Sequence, residues 1–313
     1  MSSDTGSGVG AGRYAPSPTG DLHLGNLRTG VLAWLFARST GRSFGLRIED
    51  LDAARVRAGV AERQRADLES LGLDFDPPLV VQSARSAAYA ATLAGLADRT
   101  YECFCTRREI AEAASAPHRE PGRYPGTCRD LTPVQRADRR RVRAPALRIR
   151  AEGAQRTVTD LLHGAVSGEV DDIVVRRNDG VPAYQLAVVV DDGAFGVDQV
   201  VRGDDLLSSA PGQAWLADQL DLPAPTYAHV PLALNAAGRR LAKRDGAVTL
   251  ADLAPSGWTP ARVLGLLAGS LDLAEPGESV TTADLLSRFD PARLPREPWI
   301  VEPGELGTDR PAG

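Results

Sequence analysis

The sequence is poor in cysteine and has no long uninterrupted apolar run. Its 313 residues include three cysteines, too few for a framework of paired disulfides. No apolar run approaches the roughly 20 residues that a membrane-spanning helix needs. The opening MSSDTGSGVG has neither the basic start nor the apolar centre of a secretory signal. These absences argue against a disulfide scaffold and a membrane protein, and they predict a cytoplasmic location.

The chain also lacks a strong excess of charge. It has 36 lysines and arginines against 41 aspartates and glutamates, a net charge of −5. This balance gives no global electrostatic argument for nucleic-acid binding, although it is compatible with a local basic face. The hydrophobic content of 43% and the charged content of 25% are those of a globular protein.

Strand and helix patterns alternate over the first hundred residues. GRYAP and SFGLRIED are predicted strands, and each precedes an amphipathic helix, GNLRTGVLAWLFARSTG or AGVAERQRADLESLG, that ends near a glycine. Alternation of this kind indicates βαβ units, so we predict an α/β fold with a parallel sheet. Further along, Asn178-Asp179-Gly180 predicts a hairpin turn.

Composition predicts five segments. Residues 1–10 are a flexible lead-in, and residues 11–100 form the first half of the parallel-sheet domain. Residues 101–180 contain the cysteines and an arginine-rich helical stretch, which indicates an insertion. Residues 181–235 form the second half of the domain. Residues 236–313 hold a basic loop and a small helical region.

The stretch PSPTGDLHLGN connects the first predicted strand to the first predicted helix. Open α/β sheets bind ligands at such connections, and a helix N-terminus offers unpaired N–H groups to an anion. Gly25 would let the backbone approach a phosphate, and His23 would donate a hydrogen bond to it. The alternative is an ordinary turn with a surface histidine.

A second stretch, GRRLAKRDG at residues 238–246, places four basic residues between two glycines. A basic loop of this kind can close over a polyphosphate, whereas a solvated surface loop is the alternative.

Taken together, the two stretches resemble the signature pair of class I aminoacyl-tRNA synthetases. His23-Leu24-Gly25-Asn26 matches the His-x-Gly-His element, and Arg240-Leu241-Ala242-Lys243-Arg244 matches the mobile lysine loop. RYAPSPTGDLHLGN, LRIEDLD and VVRGDDLL narrow the resemblance to the glutamyl-tRNA synthetase group, from about Gly12 to about Leu250.

The resemblance implies a class I Rossmann-like parallel sheet and amino-acid activation by ATP. The attacking carboxylate is already ionised, so the reaction needs alignment and positive charge around the phosphates. His23 and Lys243 are the predicted catalytic residues, and Mg²⁺ would arrive with ATP. The predicted ATP contacts are His23, Gly25, Asn26 and Lys243. Asn26, Arg240 and Ala242 depart from the family pattern, but Lys243 is in place.

Glutamate, with two carboxylates and an ammonium group, requires arginines and one acid. Arg13 and Arg202 are predicted to bind the substrate carboxylates through their forked guanidinium groups. Glu49 is predicted to bind the ammonium group. The resemblance adds Ala15, Ser17 and Tyr184 to the glutamate pocket. The alternative, for each of these residues taken alone, is an ordinary role in a surface ion pair or in the core.

The three cysteines lie in the predicted insertion. Cys103 and Cys105 share one face of a predicted strand, where a disulfide between them would be strained. A structural zinc site needs four ligands, so three buried thiols without metal are the alternative, and His118 is a possible fourth ligand by its chemistry. CFC followed by YPGTC resembles the zinc module of glutamyl-Q tRNA(Asp) synthetases. That resemblance assigns the ligands Cys103, Cys105, Tyr124 and Cys128 to one structural Zn²⁺.

The residues after RLAKR suffice for a few helices and no second core, whereas glutamyl-tRNA synthetases proper continue into an anticodon-binding domain. This difference also resembles the glutamyl-Q tRNA(Asp) synthetases. The resemblance implies a monomer that activates L-glutamate without tRNA and transfers it to the cyclopentenediol of queuosine, at the wobble position of tRNA(Asp).

An anticodon loop suits such a reaction because its unstacked bases can enter a pocket. Candidate phosphate contacts lie in the arginine-rich stretch, for which a solvated helix face is the alternative. These residues are Arg139, Arg140, Arg141 and Arg143.

Three other functions compete with this prediction. The first is a glutamyl-tRNA synthetase-like enzyme that charges a tRNA 3′ end. A small-molecule nucleotidylyltransferase would share the phosphate chemistry but would need neither Arg202 nor a zinc module. A non-catalytic RNA-binding paralogue would not need His23 and Lys243.

Overall fold

The computed structural model describes residues 9–114, 124–239, 241 and 248–301, with the side chains of residues 112–114 excepted. Its helices, in chain order, are α1 (Leu24–Arg38), α2 (Val60–Ser70), α3 (Ser86–Gly95), α4 (Arg107–Ala114), α5 (Pro133–Val142), α6 (Tyr184–Ala194), α7 (Ala210–Gln219), α8 (Leu250–Leu253), α9 (Pro260–Gly269) and α10 (Thr282–Arg288). Its strands are β1 (Ala11–Tyr14), β2 (Ser43–Ile48), β3 (Val80–Val81), β4 (Thr100–Cys103), β5 (Ala146–Ile149), β6 (Gln155–Asp160), β7 (Gly164–Glu169), β8 (Val174–Arg176), β9 (Gln199–Gly203), β10 (Thr226–Val230), β11 (Ala233–Asn235) and β12 (Trp299–Val301).

A parallel sheet forms the centre of the molecule, as the sequence predicts. Strands β1, β2 and β3 pair in parallel, and β10 pairs in parallel with both β9 and β6. A parallel bridge between Ala11 and Val197 joins β1 to the residues that lead into β9. The combined order is therefore β3-β2-β1-β9-β10-β6, with β7 antiparallel at the edge. The predicted α/β class is confirmed.

Helix α1 packs on this sheet and anchors the site loop that precedes it. Leu24, Leu27 and Leu35 are fully buried, in one core with Phe44 of β2 and Leu267 of α9. Each such leucine contributes about 1.5–3 kcal/mol by leaving water. The N-terminus of α1 is therefore fixed in space by the core beneath it.

The predicted insertion, residues 101–180, contains two different structures. An antiparallel sheet of β4, β5 and β8 carries the cysteine region. The β6–β7 hairpin instead extends the central sheet through β10.

Two local expectations differ from the structure. The turn at residues 178–180 is followed by a single bridge between Arg176 and Pro182, and the chain then enters α6 in place of a second strand. Pro182 has no N–H with which to continue a ladder. Strand β4 ends at Cys103, so Cys105 lies beyond the strand.

Among the described helices, none is both long and apolar enough to cross a membrane.

Candidate active site

The backbone carbonyls of the loop between β1 and α1 accept hydrogen bonds that hold the loop in place. The Glu49 N–H donates to the carbonyl oxygen of Pro16 at 3.0 Å. The buried Gln64 side chain donates to the carbonyl oxygens of Ser17, at 3.1 Å, and Gly20, at 2.7 Å. The loop therefore has a defined conformation next to the end of β2.

His23 is the N-cap of α1, and its bonding fixes its tautomer. Its Nδ1 accepts the N–H of Asn26 at 3.3 Å, and the Asn26 side chain accepts the N–H of His23 at 3.4 Å. A ring nitrogen that accepts carries no proton, so the neutral ring carries its proton on Nε2. Burial lowers the pKa of His23 to about 4. The ring is therefore a neutral Nε2–H donor at the start of a helix, where anions bind.

The absence of a side chain at Gly25 leaves room for the His23 ring. A Cβ at residue 25 would lie 3.1 Å from Cε1 of His23 and 3.2 Å from Cβ of Ala233. Both distances are tighter than ordinary contacts, so any side chain at this position would press on the His23 ring.

Lys243 lies outside the described residues, as do Arg240, Ala242 and His118. The described residues that flank the predicted lysine loop lie near His23. The Leu24 N–H donates to the carbonyl oxygen of Val248 at 3.0 Å, and His23 forms an antiparallel bridge with Thr249.

Arg13 belongs to a buried network of charges. Its Nε lies 3.2 Å from Oδ1 of Asp192, and Nη1 of Arg47 lies 2.5 Å from the same oxygen. Arg47 also donates from Nη2 to Oε1 of Glu49 at 3.2 Å. Arg47 and Asp192, which were not predicted from the sequence, connect Arg13, a predicted ligand of the substrate carboxylate, to Glu49, the predicted partner of its ammonium group.

The pKa shifts in this network follow from burial and from the opposing charges. Burial raises the pKa of Glu49, and Arg47 and Arg13 only partly oppose that rise. Burial would also raise the pKa of Asp192, but Arg13 and Arg47 outweigh burial and hold that pKa below its usual range. Asp192 is therefore ionised at neutral pH and holds both arginines.

Arg202, on β9, is buried and has a separate set of partners. Its Nε donates to Nε2 of His229 at 3.0 Å, its Nη1 to Oε1 of Gln213 at 2.7 Å, and its Nη2 to the carbonyl oxygen of Leu206 at 3.2 Å. The guanidinium is thereby fixed in orientation on three sides.

A cleft of about 1160 Å³ joins the predicted amino-acid pocket to the cysteine region. Ser17, Glu49 and Tyr184 line it at one end, and Cys103 and Cys105 line it at the other. Burial, followed by the charge of Glu49, raises the pKa of Tyr184, although the residue is 42% exposed.

The structure thus brings three of the six predicted glutamate residues to the wall of one cleft. The other three are not among the residues that line it: Arg13, Ala15 and Arg202. Ala15 directly follows β1, and the two arginines are buried. Gln185, which lines the cleft, links Arg202 to it through Gln213.

The cysteine thiols converge on one point. The sulfur atoms of Cys103, Cys105 and Cys128 all lie within 4.8 Å of one another, and those of Cys105 and Cys128 are 3.5 Å apart. The Tyr124 hydroxyl lies 3.4 Å from Sγ of Cys103. In a tetrahedral site with Zn–S bonds of about 2.3 Å, sulfur atoms are about 3.8 Å apart. The cluster therefore has the dimensions to bind a metal ion.

The surroundings of the cluster favour anionic ligands. The Phe104 N–H donates to Sγ of Cys128 at 3.4 Å, and Nη1 of Arg139 lies 3.8 Å from the same sulfur. The guanidinium of Arg148 stacks 3.8 Å from the Tyr124 ring centroid. The N–H of Cys128 donates to the Tyr124 oxygen at 2.9 Å. Each of these groups would stabilise a thiolate or phenolate bound to a metal.

The four arginines predicted to contact phosphates each have a partner within the chain. The pairs are Arg139 with Cys128, Arg140 with Glu102, Arg141 with Asp138 and Arg143 with Glu109. The side chains of Arg140 and Arg141 are still 57% and 80% exposed, so their contact with RNA phosphates stays a prediction.

The parallel α/β sheet with its histidine-capped first helix has the fold of a class I aminoacyl-tRNA synthetase. The family model for tRNA synthetases class I (E and Q), catalytic domain, matches residues 11–301. The glutamyl-Q tRNA(Asp) synthetase of Nocardia farcinica is 62% identical over 93% of this chain and 93% of that protein. The glutamyl-Q tRNA(Asp) synthetase of Cutibacterium acnes is 54% identical over 91% of this chain and 85% of that protein.

A solved structure has the same fold. The glutamate tRNA ligase of Elizabethkingia meningosepticum, in complex with its amino acid, superposes with a TM-score of 0.78 at 24% identity, over 94% of this chain and 67% of that one. The chain belongs to the class I (E and Q) tRNA synthetase family, in the group of the glutamyl-Q tRNA(Asp) synthetases. It is a ligase.

Proposed function

We propose that this chain activates L-glutamate with ATP in the absence of tRNA. It then transfers the glutamyl group to the cyclopentenediol of queuosine, at the wobble position of tRNA(Asp). The names of the relatives support this acceptor. The charge of the buried pocket, described next, supports glutamate as the substrate.

The charge of the pocket complements that of glutamate. The charges beside the pocket comprise four arginines, Arg13, Arg47, Arg85 and Arg202, and three carboxylates, Glu49, Asp191 and Asp192. The set carries one net positive charge, and glutamate carries one net negative charge at neutral pH. A neutral amino acid would leave the excess guanidinium charge without a counter-ion, and burying an unpaired charge is costly.

In the first step, the substrate α-carboxylate attacks the α-phosphate of ATP and pyrophosphate leaves. The Nε2–H of His23 and the N–H of Gly25 stabilise the negative charge on that phosphate, because the N–H groups of Leu24 and Asn26 already donate to Val248 and to His23 itself. Lys243 follows the leaving pyrophosphate, and Mg²⁺ arrives with ATP. In the second step, a hydroxyl of the cyclopentenediol attacks the glutamyl carbonyl and AMP leaves.

The acceptor nucleoside of this second step would bind in the cleft. It runs without interruption from Ser17, Glu49 and Tyr184 to the cysteine cluster. A nucleoside that entered it would meet the activated carbonyl with one wall formed by the cysteine region. We propose that Zn²⁺ bound by Cys103, Cys105, Cys128 and Tyr124 holds that wall in shape, because a closed four-ligand site is structural.

The zinc assignment predicts the metal content of three variants. Replacing Cys128 by serine removes a thiolate and should lower bound zinc well below one ion per chain, measured by atomic emission after dialysis. Tyr124→Phe should weaken zinc binding by at least about 10-fold in a chelator competition. His118→Ala is the matched control and should bind zinc as tightly as the unmodified chain.

Two results would change this assignment. Unaltered zinc content in Cys128→Ser would reject the metal site. Zinc loss in His118→Ala, with full retention in Tyr124→Phe, would make His118 the fourth ligand.

The activation step is tested by glutamate-dependent exchange of pyrophosphate into ATP without added tRNA. We expect exchange with L-glutamate and little with L-glutamine. Absence of exchange would reject tRNA-independent activation. Exchange supported equally by glutamine would contradict the roles of Arg13 and Arg202.

A further inference from the structure

Arg202 differs from the other buried arginines of the pocket in the charge of its partners. Arg13 and Arg47 share the carboxylate of Asp192. All three hydrogen-bond partners of Arg202 are neutral acceptors: an imidazole, an amide and a backbone carbonyl. Over the described part of the chain, no carboxylate lies within ion-pair distance of this guanidinium.

The pKa values of the arginines agree with this difference. Burial lowers the pKa of Arg202. Burial also acts to lower the pKa of Arg47, but Asp192 and Glu49 outweigh it and raise that pKa. Burial outweighs the distant charge of Asp192 at Arg202, and no carboxylate accepts a hydrogen bond from its guanidinium among the described residues.

His229 lies between Arg202 and the buried carboxylate of Asp160. The arginine Nε–H can only donate, so Nε2 of His229 must accept and the ring proton must be on Nδ1. That proton is donated to Oδ2 of Asp160 at 2.6 Å. Asp160 also accepts the N–H groups of Leu162 and His163. The carboxylate thus orients the imidazole but does not touch the guanidinium.

Gln213 is a second neutral acceptor for the Arg202 guanidinium, and it too is oriented by a further hydrogen bond. Arg202 can only donate, so the facing atom of Gln213 is its Oε1. The Gln213 amide nitrogen then donates to Oε1 of Gln185 at 2.7 Å. Gln213 is 3% exposed, whereas Gln185 lines the cleft. Two neutral side chains therefore hold Arg202, and both are fixed by hydrogen bonds of their own.

We propose that this neutral cradle, formed by His229 and Gln213, is a specificity determinant for the amino acid. It orients Arg202 and leaves its charge for the substrate, so that a carboxylate in the substrate side chain is the counter-ion the site lacks. The inference rests on the proposed function and adds to it the residues that set the preference for glutamate over glutamine.

The decisive variant is Gln213→Glu, which has the same shape and supplies a counter-ion from the protein. We expect its KM for glutamate in pyrophosphate exchange to rise about 10- to 100-fold, the size of a charge-assisted hydrogen bond. The KM for ATP and the activity with glutamine should change less than about 3-fold. The ratio of kcat/KM for glutamate over glutamine should therefore fall by the same 10- to 100-fold.

Gln219→Glu is the matched control. It lies on the same helix, α7, and its Oε1 accepts from Nη1 of an exposed Arg99 at 3.3 Å. This variant makes the same chemical change next to an arginine outside the site, and its kinetic constants should equal those of the unmodified chain. Thermal melting of both variants checks that they fold.

Different results separate this inference from the proposed function. Absence of glutamate-dependent exchange in the unmodified chain rejects the function itself. Normal exchange there, with an unaltered KM for glutamate in Gln213→Glu, overturns the inference alone, as does an equal loss with glutamate and glutamine.

A second readout does not depend on catalysis. Nitrogen NMR of ¹⁵N-histidine-labelled chain, assigned with His229→Gln, should show His229 as a neutral ring with its proton on Nδ1 at pH 7. A ring protonated on Nε2 or on both nitrogens would overturn the cradle.

Discussion

Replacing His23 by asparagine should lower kcat for glutamate-dependent pyrophosphate exchange by about 100-fold, the loss typical of one transition-state donor. The Nε2–H of His23 is a donor at the start of α1, and Nδ1 caps that helix. Asparagine is also a favourable N-cap residue, so the helix keeps its cap. The variant loses only the donor that the imidazole ring presents beyond the cap.

The control for this prediction is His163→Asn. His163 is exposed, and its Nε2 lies 3.0 Å from the backbone carbonyl oxygen of His229. This variant should retain its exchange rate. Thermal melting should show both proteins folded. Full activity of His23→Asn would contradict the role of His23 at the α-phosphate.

Replacing Asp192 by asparagine should lower the free energy of unfolding by about 3–5 kcal/mol, the cost of breaking a buried ion pair. Asp192 is the common acceptor for Arg13 and Arg47, whose residues are 6% and 3% exposed. Without its charge, Arg13 and Arg47 are left with Glu49 and with Asp191, whose Oδ2 lies 4.0 Å from Nε of Arg47. The same change should raise KM for glutamate, because Arg13 loses its fixed orientation.

Urea unfolding at pH 7 measures this effect, and Asp198→Asn is the matched control. Asp198 pairs with Arg42, but its side chain is 46% exposed, so its loss should cost no more than about 1 kcal/mol. If Asp192→Asn were as stable as Asp198→Asn, the buried network would not be a stabilising element.

The effect of Asp192 also has a defined pH dependence. Burial opposes its ionisation, but Arg13 and Arg47 hold its pKa below the usual range in the folded chain. Its stabilisation is therefore complete above the usual aspartate pKa of about 3.9 and is lost as the pH falls through the lower folded value. The difference in stability between Asp192→Asn and the unmodified chain should shrink in strong acid.

The overall fold was predictable because its signals are local. Strand and helix periods alternate in the first hundred residues, and glycines at residues 41 and 72 adopt the left-handed conformation expected just after helices. The predicted turn at residues 178–180 is present and carries an antiparallel bridge between Arg176 and Pro182, but no full second strand follows because a proline and a helical segment come directly after it. Nearby residues could not show that β6 would pair with a strand more than 60 residues later.

The site was only partly predictable, and the missed residues share one property. Each of them lies in a segment whose sequence is typical of an ordinary buried core, and it has a partner that is distant in the sequence. These residues are Arg47, Asp192, Gln213 and His229. Arg47 and Asp192 are 145 positions apart. One signal was present: an arginine inside the strand SFGLRI, and two aspartates directly after the apolar run AVVV, are charges in buried segments that need partners.

The central claim is that the activated glutamate is placed on queuosine, and mapping of labelled glutamate on tRNA(Asp) tests it most directly. The chain is incubated with ATP, radiolabelled glutamate and tRNA(Asp) from cells that make queuosine or from cells that cannot. Nuclease digestion then locates the label. We predict label on the wobble nucleoside of queuosine-containing tRNA and none on the other preparation. Label at the 3′-terminal nucleotide, or label that does not depend on queuosine, would contradict the account and identify an enzyme that charges the tRNA 3′ end.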